Sequence, residues 1–170
     1  IDLWQEILRM PEDLRTRVKF TNAHDTFKGL PPAGLAALYN AADLYISTTG
    51  GEGFGLTLAE SIACGTPVIV TDWAAEREVV EDGGVLIPPL HDSYGAPVVH
   101  HSKYGMDWAV PDWQGFVAPT LALLDKPARR RAIGQAGRIH VRRSFSWDEA
   151  AAQFLDLLLG VPDAVDRSEE

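Results

Sequence analysis

The sequence contains a single cysteine, Cys64, in a chain of 170 residues. One cysteine excludes a disulfide within the chain, and with it the small secreted domains that are built on disulfides. The neighbours of Cys64 are apolar and none is histidine or basic, so we expect a small core residue and not a reactive thiol. A reducing, cytoplasmic compartment is the expectation that follows.

Long hydrophobic runs and an excess of positive charge are also missing. The longest mainly apolar segments, 44–46 and 66–70, are far shorter than the roughly 20 residues that cross a bilayer, so we predict no transmembrane segment. The first residues do not have the pattern of a signal peptide. Fifteen basic residues against 24 acidic ones give a net charge of −9, which argues against a nucleic-acid partner. The composition is otherwise typical of a globular domain.

Short apolar runs alternate with helical patterns along the chain. We predict strands near residues 18, 44, 68 and 85, whose continuous apolar character is typical of parallel strands buried on both faces. We predict helices at residues 32–42, 56–64, 76–81, 128–143 and 147–159. This alternation indicates an α/β fold, with a parallel sheet and helices on both faces.

Residues 88–111 interrupt this alternation with four prolines and no helical period, so we predict an irregular surface excursion that shapes an acceptor site or an interface. Asp107, Trp108 and the nearby Trp113 have the chemistry to stack on a sugar ring, but we favour packing or anchoring of the loop. Adjacent histidines at 100–101 lack a third ligand, so no metal site is predicted there. The acidic residues 161–170 are predicted to be a disordered tail.

A glycine-rich loop with glycines at 50, 51, 53 and 55 lies between a predicted buried strand and a predicted helix. Open α/β sheets bind ligands at this position. Glycines let the backbone approach a ligand closely, and the free N–H groups at the start of the helix favour an anion such as a phosphate. The loop therefore predicts a phosphate-binding site.

Two carboxylates, Glu52 and Glu60, flank this loop. A carboxylate would repel a phosphate, so we interpret them as acceptors for hydroxyl groups, one on a ribose and one on a transferred sugar. A solvated loop acid and a solvated helix acid are the plain alternative. A dinucleotide-binding oxidoreductase would need the spacing Gly-x-Gly-x-x-Gly and an acid after the next strand. Asp72 provides the acid, but Gly51, Gly53 and Gly55 are two apart, which argues against that class.

The stretch from Glu52 to Glu60, continued through residues 61–72, resembles the Glu-x7-Glu signature of the group 1 (family-four) retaining glycosyltransferases, which use nucleotide-sugars and have two Rossmann-like domains. The agreement in order and spacing extends from about residue 18 to residue 158, and includes residues 35–43, 78–83 and 145–147. The resemblance implies that residues 1–160 form part of the C-terminal, donor-binding domain, with a Rossmann-like parallel sheet.

The resemblance also implies roles for individual residues. Glu52 would be the catalytic residue and would contact hydroxyls of the donor sugar, while Glu60 would bind the nucleotide ribose. Backbone N–H groups would hold the diphosphate, so that the donor-binding residues are Gly53, Phe54, Gly55, Leu56, Thr57 and Glu60. The implied partners are a nucleotide-diphosphate sugar and an unknown acceptor, and neither a cofactor nor a metal is implied.

The sequence departs from the family pattern at its beginning. The Gly-Arg…Lys-Gly pattern that contacts the diphosphate is not found before Val18. We therefore expect that the first strands of the domain and the N-terminal domain are missing, that the strand near Leu44 has an open edge, and that this chain alone has no turnover. A non-catalytic binding or assembly module is the alternative, although the presence of both Glu52 and Glu60 counts against it.

Overall fold

The computed structural model describes residues 3–20, 29–103 and 105–160, which fall into two units, 1–35 and 36–170. The first unit contains the short helices α1 (Leu3–Leu8) and α2 (Glu12–Arg15). The predicted strand near residue 18 is wrong, because residues 18–20 have no regular structure. The N–H groups of Arg17 and Val18 donate to carbonyls of α2 and so continue a turn after this helix. A strand would need these N–H groups to bond to a neighbouring strand.

The second unit contains a parallel sheet of three strands in the order β1 (Tyr45–Ser47), β2 (Val68–Thr71) and β3 (Gly84–Ile87). Ile46, Ile69 and Val85 lie side by side across it. The strands predicted near residues 44, 68 and 85 are therefore confirmed. Among the described residues β1 lies at an edge of this sheet, and Ile46 is 47% exposed, which agrees with the expected open edge.

Six helices accompany this sheet in the described part of the chain. They are α3 (Pro32–Ala41), α4 (Leu56–Ala63), α5 (Glu76–Val80), α6 (Val117–Leu124), α7 (Pro127–Ser144) and α8 (Trp147–Leu159). Five were predicted within a few residues, and the Ser146 side chain caps α8 as its sequence indicated. The prediction missed α6, which contains Pro119. That proline lies in the first turn, where the absence of an N–H removes no helical hydrogen bond.

Side chains that alternate along β2 separate two hydrophobic cores. Val68 and Val70 face α4, α5 and the end of α7, where they pack with residues such as Leu58 and Ile62. Ile69 faces the other side and packs near Leu123 of α6. Both faces of the sheet are therefore covered by helices, and the predicted α/β fold is confirmed.

Two glycines of α7 bring this helix very close to the backbone of other elements. A Cβ atom at Gly134 would lie 1.9 Å from the carbonyl oxygen of Gly65, which ends α4 with a φ of +84°. A Cβ atom at Gly137 would lie 2.3 Å from the Cα atom of Gly83, in the turn before β3. This close packing fixes the middle of α7 against the end of α4, the helix that follows the glycine-rich loop, and against the turn before β3.

Residues 88–111 contain an antiparallel hairpin of β4 (Val99–His101) and β5 (Asp107–Ala109), so the prediction of an irregular excursion is wrong over these strands. Both strands are short and polar, and they lack the continuous apolar run that identified β1 to β3. Pro97 and Pro111 lie just outside the strands, where they remove no hydrogen bond from the hairpin.

Candidate functional site

The glycine-rich loop connects β1 to α4, and Gly55 is the residue at the N-terminus of the helix. Gly55 has a φ of +86°, and a Cβ atom there would lie 3.0 Å from the Leu58 side chain. The first helical hydrogen bonds run from Leu58 and Ala59 to the Gly55 carbonyl. In the described part of the chain, the N–H groups of Leu56 and Thr57 have no protein acceptor. They are free to bind an anion at the positive end of the helix dipole.

Glu60 lies on α4, one turn beyond these N–H groups. Its Oε2 accepts a hydrogen bond of 3.3 Å from the Tyr39 hydroxyl. Burial, followed by the charge of Glu60 and this hydrogen bond, raises the pKa of Tyr39 to about 12. The hydroxyl therefore stays protonated at neutral pH and donates to the carboxylate. Glu60 is itself exposed, so its orientation is fixed from one side while the other remains open to a ligand.

The side chain of Thr57 is also held by a tyrosine, in this case one from β1. The Tyr45 hydroxyl donates to Thr57 Oγ1 at 3.0 Å, and the rings of Tyr39 and Tyr45 meet edge to face with centroids 5.9 Å apart. The sequence analysis missed both tyrosines. The available signal was a tyrosine at a core-facing helix position, since a buried hydroxyl normally needs a partner.

Glu52 lies on the other side of the glycine-rich loop from Glu60, in a separate hollow. Its side chain is exposed and forms no hydrogen bond or ion pair among the residues that the structure describes. It lines a cavity of about 520 Å³ that is closed on one side by Met106, Asp107 and Trp108 of the hairpin region. The two carboxylates therefore line two different pockets, that of Glu52 at the glycine-rich loop and that of Glu60 at α4.

Glu60 lines the second pocket, a mainly apolar groove of about 620 Å³ between α4 and the junction of α7 and α8. Phe54 of the glycine-rich loop also lines it, and its ring meets that of Phe145 edge to face at 5.2 Å. This contact ties the loop to the end of α7. Leu56 is 68% exposed at the same groove, so its side chain contributes little to the core.

Glu76, at the start of α5, is a fully buried acid close to the loop that carries Glu52. It has no measurable exposure, and neither carboxylate oxygen makes a hydrogen bond of ordinary geometry in the described part of the chain. Burial raises the pKa of Glu76, as do the charges of Glu52 and Asp72, while nearby N–H groups of Glu76 and Glu52 lower it. The sequence analysis missed this residue, although its spacing from Val79 and Val80 places it on the buried face of α5.

Asp72, the acid that a dinucleotide-binding site would use for a ribose, has a partner within the protein. Arg77 donates to both of its carboxylate oxygens, from Nη2 to Oδ2 at 2.9 Å and from Nε to Oδ1. This pairing raises the pKa of Arg77. The ion pair occupies the carboxylate and adds a second argument against the oxidoreductase class.

Both hairpin tryptophans are exposed. Trp108 is 51% exposed and Trp113 is 67% exposed, so neither ring is buried in the core, and the favoured role in packing or anchoring the loop stays a prediction. Trp73 provides one anchoring contact, because its Nε1–H donates to the Asp107 carbonyl at 3.1 Å. The carboxylate of Asp107 contacts His101 Nδ1 at 2.6 Å across the hairpin.

Among residues 3–20, 29–103 and 105–160, no helix combines the length and apolar character needed to cross a membrane. The predicted disorder of residues 161–170 lies outside the described residues and stays a prediction.

Comparison with known sequences identifies the family. The sequence model described as "Glycosyl transferases group 1" matches residues 4–100. The chain is 39% identical over 123 residues to the D-inositol 3-phosphate glycosyltransferase of Segniliparus rotundus, covering 71% of this chain and 22% of that protein. It is 33% identical over 148 residues to the phosphatidyl-myo-inositol mannosyltransferase of Mycobacterium leprae, covering 85% and 34% respectively. This chain therefore spans about a third or less of the length of these relatives.

Comparison with solved structures agrees with this assignment. The sucrose-phosphate synthase of Thermosynechococcus elongatus superposes with a TM-score of 0.55 at 29% identity, over 74% of this chain and 27% of that one. The Anabaena protein HepE, solved in complex with UDP and glucose, gives a TM-score of 0.56 at 19% identity, over 75% and 30%. The second likeness shows the shared fold alone. With its glycine-rich loop, its two flanking glutamates and the sequence match over residues 4–100, this chain belongs to the group 1 glycosyl transferases.

Proposed function

We propose that this chain is the donor-binding part of a longer glycosyltransferase, which transfers a sugar from a nucleotide-diphosphate sugar to an acceptor with retention of configuration. The observation that carries the proposal is the arrangement at the start of α4. Along the chain, the free N–H groups of Leu56 and Thr57 come between two exposed glutamates, Glu52 and Glu60, each of which lines a different pocket. A nucleotide-diphosphate sugar has the same order, because its diphosphate lies between the hydroxyl groups of the ribose and those of the transferred sugar.

Each part of the site has one role in this proposal. The backbone from Gly53 to Thr57 binds the diphosphate, and the dipole of α4 stabilises the negative charge that grows on it as the sugar departs. Glu60, held by Tyr39, accepts hydrogen bonds from the ribose hydroxyls. Glu52 accepts hydrogen bonds from the donor sugar and holds it for attack by the acceptor.

The proposal includes no cofactor and no metal, since N–H groups and the helix dipole supply the positive charge at the diphosphate. The proposal also places the protein in the cytoplasm. This compartment is reducing, and both nucleotide-sugars and a single free cysteine are compatible with it. Most of the acceptor site and further contacts to the donor come from the rest of a protein about three times as long as this chain. We therefore expect this chain alone to bind the donor without turnover.

Calorimetric titration of the chain with UDP, GDP and ADP tests the proposal. We expect one nucleotide to bind and Glu60→Gln to weaken it by about 10- to 150-fold, because a hydrogen bond to a charged group contributes roughly 1.5–3 kcal/mol. Tyr39→Phe should weaken binding less, since it removes only the hydrogen bond that orients Glu60.

Glu78→Gln is the matched control, since Glu78 is an exposed glutamate on a different helix and lines neither pocket. It should leave the affinity unchanged. A folded chain that binds none of the three nucleotides, or binds one equally well after Glu60→Gln, would contradict the proposed donor site.

A further inference from the structure

The cavity beside Glu52 has a wall that belongs to the hairpin and to none of the residues assigned to donor binding. Met106 and Trp108 line this wall, and each is 51% exposed. Large apolar side chains are exposed here around a cavity that also contains a carboxylate with no protein partner among the described residues. Its volume of about 520 Å³ lies within the range of roughly 300–1,000 Å³ that is typical of small-molecule sites.

The geometry of β5 sorts the side chains of the hairpin between two faces. Successive side chains in a strand point to opposite faces, so within β5 Trp108 points to one face while Asp107 and Ala109 share the other. On that other face Ala109 is buried, and the Asp107 carboxylate contacts His101. Met106, Asp107 and Trp108 all line the Glu52 cavity, so its hairpin wall combines two exposed apolar side chains with an acid whose carboxylate contacts His101.

One hydrogen bond fixes the hairpin to the loop that carries Glu52, and a second fixes it to the segment after β2. The Ala109 N–H donates to the Gly50 carbonyl at 2.8 Å, and the Trp73 indole N–H donates to the Asp107 carbonyl at 3.1 Å. A Cβ atom at Gly50 would lie 2.3 Å from the Ala109 carbonyl oxygen, so glycine is needed for this close approach. Trp108 is thus held next to Glu52 before any ligand arrives, which lowers the entropy cost of binding.

We propose that Trp108 and Met106 form the apolar wall of a carbohydrate subsite, and that the hydroxyls of the bound ring hydrogen-bond to Glu52. A sugar ring has an apolar C–H face and a rim of hydroxyl groups, so it matches an aromatic wall opposite a carboxylate. This inference rests on the proposed function and deepens it by naming the residues that contact the ring. Two sources provide this chemistry, the sugar of the donor and a sugar or cyclic polyol that acts as acceptor.

Saturation-transfer NMR on the chain separates these sources, because it reports nucleobase and sugar protons of one ligand separately. UDP-glucose, GDP-mannose and ADP-glucose are the donor probes. Methyl α-glucoside, methyl α-mannoside and myo-inositol, each added with the matching nucleoside diphosphate, are the acceptor probes. With each donor at a concentration that keeps the site filled, we expect Trp108→Ala to reduce saturation of the sugar protons and to leave the nucleobase signal unchanged. For the free probes we expect the affinity to fall about three- to tenfold, the loss of one aromatic contact.

Trp113→Ala is the matched control, since this tryptophan is also exposed and does not line the cavity. It should change neither signal, whereas Met106→Ala should weaken the sugar signal in the same sense as Trp108→Ala. A loss confined to the donor probes assigns the wall to the donor sugar, and a loss confined to the free probes assigns it to the acceptor.

Equal sugar signals in the chain and in Trp108→Ala would overturn the inference while leaving the proposed function intact. Absence of a nucleobase signal from every donor would instead remove the proposed function. The free probes then still decide the subsite, which is refuted if none of them gives a signal that depends on Trp108.

Discussion

The buried carboxylate of Glu76 leads to a prediction about stability. Its side chain has no measurable exposure and no hydrogen bond of ordinary geometry among the described residues. A buried polar group without a partner costs about 1–3 kcal/mol, and an uncompensated charge costs more. We therefore expect Glu76→Leu to increase the free energy of unfolding by about 1–3 kcal/mol at pH 7. In a chain of 170 residues this corresponds to a rise in Tm of roughly 2–12 °C.

The pH dependence of this effect has a definite sign. Burial raises the pKa of Glu76 above its ordinary value of 4.5, so the folded chain binds this proton more tightly than the unfolded chain does. The contribution of Glu76 to stability therefore falls as pH rises from about 4.5 through the raised pKa, and its full cost is present above that pKa. The advantage of Glu76→Leu should be largest at neutral pH and should shrink as pH falls toward 4.5.

Urea unfolding of the chain, Glu76→Leu and Glu76→Gln between pH 4.5 and 8 measures both effects. Subtracting the variant from the parent at each pH cancels the titration of all other groups that the substitution does not touch. Glu76→Gln keeps the shape and removes only the charge, so it should lose the pH dependence and gain less stability than Glu76→Leu. Glu78→Gln, an exposed acid of the same helix, should change the free energy by less than about 0.5 kcal/mol. A parent that is more stable than Glu76→Leu at pH 7 would refute the reasoning, since it would mean that the carboxylate is paired.

Two further predictions concern the elements that hold the site. Gly137→Ala should lower the free energy of unfolding by about 1–3 kcal/mol, because its Cβ atom would overlap the Gly83 backbone. At Gly53 a Cβ atom meets nothing within 4 Å, so Gly53→Ala should change the free energy of unfolding far less. Thermal melts of the two variants measure this difference. Ser146→Ala removes the side chain that accepts the Glu149 N–H at 3.1 Å, so urea unfolding should show a loss of about 1 kcal/mol, and an unchanged midpoint would contradict the capping role.

The part of the fold that followed from sequence is the part in which local pattern and burial agree. Strands β1 to β3 are continuous apolar runs, and α4, α7 and α8 have both an apolar stripe and a defined end, as at Gly65 and Ser146. The prediction failed where only a partner distant in sequence decides the structure. Residues 18–20 have the composition of a strand but no regular structure, whereas the polar strands of the hairpin pair with each other.

The candidate site was predicted to a similar extent and for a related reason. Glu52, Glu60 and the glycines are close in sequence, so their spacing alone places them around the start of one helix. Tyr39 reaches Glu60 across 21 residues and Trp73 reaches Asp107 across 34. The local sequence does not identify the partner in either contact, because each pairing depends on how β1, β2 and the hairpin pack together.

Glu76 is a further residue that was not predicted, and its position is informative about function. Its sequence position is apolar by helical periodicity, so an acid there conflicts with the local pattern, and such conflicts in natural proteins concentrate at functional sites. The Glu76 carboxylate lies near Glu52, whose backbone N–H is one of the groups that partly offset the buried charge. A chain selected for stability alone would place leucine at this position. The retained carboxylate, the glycine at position 50 and the hydrogen bond from Ala109 to Gly50 all act on the same loop, so the conformation of that loop is what the surrounding structure supports at a cost in stability.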